Sequence, residues 1–61
     1  MDNHKPKTIL LVEDDAMIAA VETIKLKKYG YNIIHALNGK KALEVVREAS
    51  NGIDLILMDI N

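Results

Sequence analysis

The sequence predicts an α/β fold: a parallel sheet built as β-α-β-α-β, with strand order 2-1-3. Three observations predict it. Short apolar runs of strand length alternate with longer stretches whose apolar residues recur at helical spacing. Glycine and small polar residues mark the breaks between them. The first run is apolar throughout and suits the middle of a sheet, whereas the second carries Asn32 and His35 and suits an edge.

The elements follow in order. Thr8 to Val12, "TILLV", is the first strand, apolar and partly β-branched, as in a strand buried on both faces. From Asp15 the period changes: Met17, Ala20, Val21 and Ile24 fall at i, i+3, i+4 and i+7, the stripe expected to face the sheet. Glu22, Lys25, Lys27 and Lys28 take much of the other side. Lysines crowd the last turn, where the helix dipole favours cations, and Gly30 follows as the expected C-cap. Tyr31 to Ala36, "YNIIHA", is the second strand, and Leu37 to Gly39 is a loop with Asn38 as N-cap of the second helix. Ala42, Val45, Val46 and Ala49 repeat the helical stripe, and Ser50 to Gly52 stops it. Ile53 to Ile60, "IDLILMDI", is the third strand, apolar through its centre and therefore expected to lie inside a sheet. No further segment is present to cover it, so the chain reads as cut off, with an apolar edge that a second copy could pair.

Composition bounds the function. The 61 residues make one small domain, without cysteine, 49% hydrophobic and 28% charged, an ordinary globular balance. A net charge of −1 favours neither nucleic acid nor an acidic membrane surface. No apolar run approaches a membrane span of about 20 residues, and "MDNHKPK" lacks the apolar core of a signal peptide. A soluble cytoplasmic protein is expected, residues 1–6 forming a flexible polar lead and residues 7–61 the folded part.

The chemistry lies at one rim. In order 2-1-3 the first and third strands are neighbours, and ligands bind beyond the carboxyl ends of strands at such a switch point. Glu13 and Asp14 leave the first strand and Asp59 leaves the third, so three carboxylates meet there. Their repulsion calls for a hard cation with oxygen ligands, and Mg²⁺ takes one or two carboxylates together with waters and phosphate oxygens. Asp15 reads instead as a helix cap. His4 lies in the polar lead. His35 has no second His or Cys to make a metal site with it, and Asn38-Gly39 lacks the glycine spacing of a phosphate loop. Met17 and Met58 read as core filler, and Tyr29 and Tyr31 as cover for the helix end.

"ILLVEDD", "YGYNIIHALNGKKALEVV" and "DLILMDIN" together resemble the receiver domain of bacterial two-component response regulators, from about Lys7 to the last residue. The resemblance covers only the amino-terminal half of a receiver, whose flavodoxin-like sheet normally has five strands. It implies that Asp59 accepts phosphate from a sensor histidine kinase, and that Asp14, Asp59 and the Asn61 backbone carbonyl touch Mg²⁺, with Glu13 acting mainly through water. It also implies a phosphorelay signalling protein rather than an enzyme. The hydroxyl residue after the fourth strand and the lysine after the fifth have no counterpart here, and Lys40 and Lys41 belong to the second helix. The chain alone is therefore expected to keep part of the metal site and to transfer phosphate poorly. Two other readings compete. One is an assembly module that completes its sheet through the third strand. The other is a Mg²⁺-dependent phosphatase with an aspartate nucleophile after the first strand, for which Glu13 and Asp15 have the right spacing but the wrong first residue.

Overall fold

The structure, a computed structural model, describes residues 5–48 and 52–59. His4, Ala49, Ser50, Asn51, Ile60 and Asn61 lie outside the described residues. Five elements run in the order β1 (Thr8–Val12), α1 (Ala16–Lys28), β2 (Asn32–Ala36), α2 (Gly39–Glu48) and β3 (Leu55–Met58). The sheet is parallel, in order β2-β1-β3, as the polarity of the strands predicts. Each crossover runs through a helix, as parallel strands require: α1 joins the neighbours β1 and β2, and α2 carries the chain from β2 past β1 to β3. No helix among the described residues is long and apolar enough to cross a membrane.

Strand β1 is the centre of the molecule. Ile9 to Val12 are buried, because β1 has a strand on each side and a helix above each face. Side chains alternate between the two faces. Leu10 and Val12 join Ala36 and Ala42 in one cluster, with Ile34, Val45, Val46 and Ile53 packed against it. This is the α2 face. Ile9 and Leu11 turn the other way, towards α1.

Both helices start and stop on local chemistry. The Asp15 carboxylate accepts from the Met17 and Ile18 backbone N–H groups at 2.9 and 3.1 Å, capping α1. At its other end Gly30 has φ +92°. The Gly30 N–H donates to the Lys27 carbonyl and the Tyr31 N–H to the Leu26 carbonyl, the paired bonds of a Schellman stop, which need a left-handed residue there. Asn38 caps α2, accepting from the Lys41 N–H at 2.9 Å through its side chain.

Two expectations need correction. The stripe Met17, Ala20, Val21 and Ile24 does not face the sheet: Met17 is 80% exposed and Ile24 60%. The face turned inward is Ala19, buried, with Glu22, Thr23 and Leu26 half-buried. The Asp15 cap and the short β1–α1 connection fix the rotation of the helix, and small Ala19 permits close approach. Apolar residues on α1 occupy more of its circumference than the roughly 100° stripe a sheet can cover. Met58, read as core filler, is 61% exposed, because it lies on β3, the edge strand that order 2-1-3 leaves uncovered, where Leu55 to Met58 are all exposed. The one strand neighbour of β3 among the described residues is β1.

Candidate metal centre

The acids gather where the carboxyl ends of β1 and β3 meet. The register pairs Val12 with Met58, so Glu13 and Asp59 are the next residues on their two strands. The ladder continues one step past the strands: the Glu13 N–H donates to the Ala36 carbonyl at 3.0 Å and the Asp59 N–H to the Val12 carbonyl at 2.9 Å. Backbone hydrogen bonds therefore hold both acids at the rim. The alternation that sends Ile9 and Leu11 to the α1 side sends Glu13 there too.

That face brings in a residue the sequence reading placed among solvent-facing charges. Glu22, on the inward stripe of α1, carries its carboxylate to the same point. One carboxylate oxygen from each of Glu13, Glu22 and Asp59 lies within 4.8 Å of the other two. The signal for Glu22 was present but weak: it stands three residues after Ala19 and four before Leu26, one stripe with the Asp15 cap. The more apolar stripe beside it outweighed it.

Glu13 is fully buried. Its Oε2 accepts from the Asp15 N–H at 2.9 Å, while its Oε1 is buried without a hydrogen-bond partner. Its carbonyl accepts from His35 Nε2 at 2.8 Å, with the ring proton on that nitrogen, so His35 steadies the strand exit. Glu22 Oε1 is likewise buried and unpartnered. The Asp15 N–H pulls the Glu13 carboxyl down, but burial and the neighbouring carboxyls of Asp14 and Asp59 outweigh it, and its pKa stands above the ordinary 4.5. Glu22 is raised also, first by the facing Asp59 carboxyl, then by desolvation and by repulsion from Asp59 and Glu13, with Lys25 opposing.

Asp14 is exposed and lies beside Glu13, outside the three-way convergence. Asp15 is committed to its cap. Asn61 lies outside the described residues. A divalent cation fits the donor set. All the donors are hard carboxylate oxygens, two of them buried with nothing to accept from. Oxygens opposite one another are about 4.2 Å apart across Mg²⁺ and about 4.8 Å across Ca²⁺, close to the spread found here.

Comparison with known proteins finds similarity to sensor kinases and response regulators. It is 38% identical over 58 residues to the autoinducer 1 sensor kinase/phosphatase LuxN of Vibrio campbellii, covering 95% of this chain and 7% of that protein. It is 36% identical over 63 residues to the two-component response regulator-like APRR9 of Arabidopsis thaliana, covering 98% of this chain and 14% of that one. It is 38% identical over 52 residues to the transcriptional regulatory protein YrkP of Bacillus subtilis, covering 85% and 21%. The chain spans 7%, 14% and 21% of the length of these three relatives. No family model and no solved structure matches it.

Proposed function

We propose, from the premise that this chain belongs with the two-component signalling proteins through their receiver domain, that it is a phospho-accepting module with Asp59 as the acceptor. The observation that carries the reading is the meeting of the Asp59 and Glu13 carboxylates at the shared rim of β1 and β3. A sensor histidine kinase is the partner and the cytoplasm the setting.

A carboxylate oxygen of Asp59 attacks the phosphorus of a phosphohistidine; the O–P bond forms as the P–N bond breaks, and the imidazole nitrogen leaves with the electron pair and is protonated by solvent. Asp59 is half-buried at the rim, so a donor can reach it, and its backbone bond to Val12 holds it in place. Glu13, Asp14 and Asp59 would hold Mg²⁺, with the Asn61 carbonyl as a further ligand. When bound, that cation offsets the repulsion between the carboxylates and the phosphoryl oxygens. The phosphoryl group stays on the chain, so the protein acts as a switch and not as a turnover enzyme.

The test is transfer from a radiolabelled, autophosphorylated histidine kinase in Mg²⁺, joined to direct Mg²⁺ titration. Label on Asp59 as a hydroxylamine-labile acyl phosphate, and loss of Mg²⁺ binding in D59N, are expected. Label on Asp14 or Asp15 would instead support the phosphatase reading, which the capping role of Asp15 disfavours.

A second reading, self-association through β3, draws on the exposure of Leu55 to Met58 and on an apolar groove of about 350 Å³ between α2 and β3, lined by Val12, Ala42, Leu43, Val46, Ile56 and Met58. Sedimentation equilibrium decides it, since a monomer at all concentrations removes it.

A further inference from the structure

We propose that Glu22 is a further carboxylate of the cation pocket, delivered by helix α1 against Asp59, and that it strengthens the pocket's hold on divalent cations. The inference rests on the reading of Asp59 and Glu13 as cation ligands and adds a residue from a separate element.

Three observations carry it. The carboxylate oxygens of Glu22, Glu13 and Asp59 converge within 4.8 Å. Glu13, one of the three, is fully buried and leaves its Oε1 without a hydrogen-bond partner. Glu22 Oε1 is also buried and accepts from no donor. A buried carboxylate oxygen is costly to leave unsatisfied, and two of them beside a third carboxylate call for a cation, or at low pH for a proton shared between the facing carboxyls. Helix phase explains why Glu22 is the residue concerned. The Asp15 cap fixes the rotation of α1, Ala19 one turn earlier lets the helix close on the sheet, and Glu22 then stands over the β1–β3 rim.

The consequence has two opposing signs. Without a cation Glu22 adds like charge to the pocket and weakens the fold. With one, it adds a ligand. E22Q keeps the shape and removes the charge. It should raise the melting temperature of the chain in chelator, shrink the rise that Mg²⁺ or Mn²⁺ produces, and weaken Mn²⁺ binding, followed by electron paramagnetic resonance, by about ten- to a hundredfold. E44Q removes the same charge from the exposed face of α2 and should change binding less than about twofold. A measurement on the unmodified chain stands apart from any folding defect in the variant. Added Mn²⁺ should broaden the carboxyl-carbon resonances of Glu13, Glu22 and Asp59 together and leave Glu44 sharp.

Undiminished Mn²⁺ affinity in a folded E22Q, or a sharp Glu22 resonance beside broadened Glu13 and Asp59, would overturn the role of Glu22 and leave the Asp59 site standing. Undiminished affinity in D59N as well would remove the underlying reading too.

Discussion

Replacing Asp15 separates a helix cap from a chemical acid. Its carboxylate accepts two hydrogen bonds, from Met17 N–H at 2.9 Å and Ile18 N–H at 3.1 Å, at an end where solvent can reach the freed donors. Loss of such a cap costs about 0.5–2 kcal/mol, typically about 1. A chain of 61 residues has roughly 3–9 kcal/mol in all, so D15A removes a sizeable share and should lower the melting temperature by about 4–8 °C. D15N keeps an acceptor of equal capping rank and loses only the charge at the helix N-terminus, about 0.3–1 kcal/mol, so it should fall by about half as much or less. The bond from the Asp15 N–H to Glu13 Oε2 is a backbone donor and survives both changes. Mg²⁺ affinity should therefore stay within about twofold in each. Thermal melts by circular dichroism, with Mg²⁺ titration beside them, read both quantities. An equal loss in D15N and D15A, or loss of Mg²⁺ binding in either, would refute the division of labour among the three consecutive acids.

Other substitutions probe the core and the turns. L10A empties a fully buried site against Val12, Ala36 and Ala42 and should cost about 2–5 kcal/mol, a large share of the chain's stability. L55A, at a residue 56% exposed, should cost less than about 1 kcal/mol; urea melts compare the two. G30A places a Cβ at φ +92° with nothing within 4 Å, so its loss, about 1–2 kcal/mol, is purely conformational. G39A sits in the first turn of α2 with equal room and should gain about 0.4–1 kcal/mol. The raised Glu13 and Glu22 carboxyls set a pH dependence. The folded chain holds those protons more tightly than the unfolded one, so stability in chelator is highest at low pH. It should fall as pH rises from the ordinary 4.5 through the raised folded values. Melts at about pH 5 and pH 8 check it; a flat profile, or E22Q with the wild-type slope, would contradict the repulsion described.

Much of the fold was legible because its signals are local. Asp15, Asn38 and Gly30 act on backbone groups a few residues away, so the ends of the helices could be read from the chain. The polarity of "YNIIHA" against "TILLV" placed β2 at the edge and β1 at the centre, because burial on both faces demands apolar residues at every position. The presence of Glu13 and Asp59 at one rim followed from the same strand order. The rotation of α1 did not. Met17, Val21 and Ile24 look like a core stripe by periodicity, yet the face against the sheet is Ala19, Glu22, Thr23 and Leu26.

The sequence by itself thus determined the element types, their order, the parallel sheet and the acids at its carboxyl end, since each depends on short-range propensity and on alternation. Only the tertiary structure decided which side of α1 meets the sheet and that Glu22 joins Glu13 and Asp59. That choice depends on how a helix with apolar residues on two sides settles over a particular pair of strands. Its position is set by a cap at one end, a tight stop at the other and one small alanine between them.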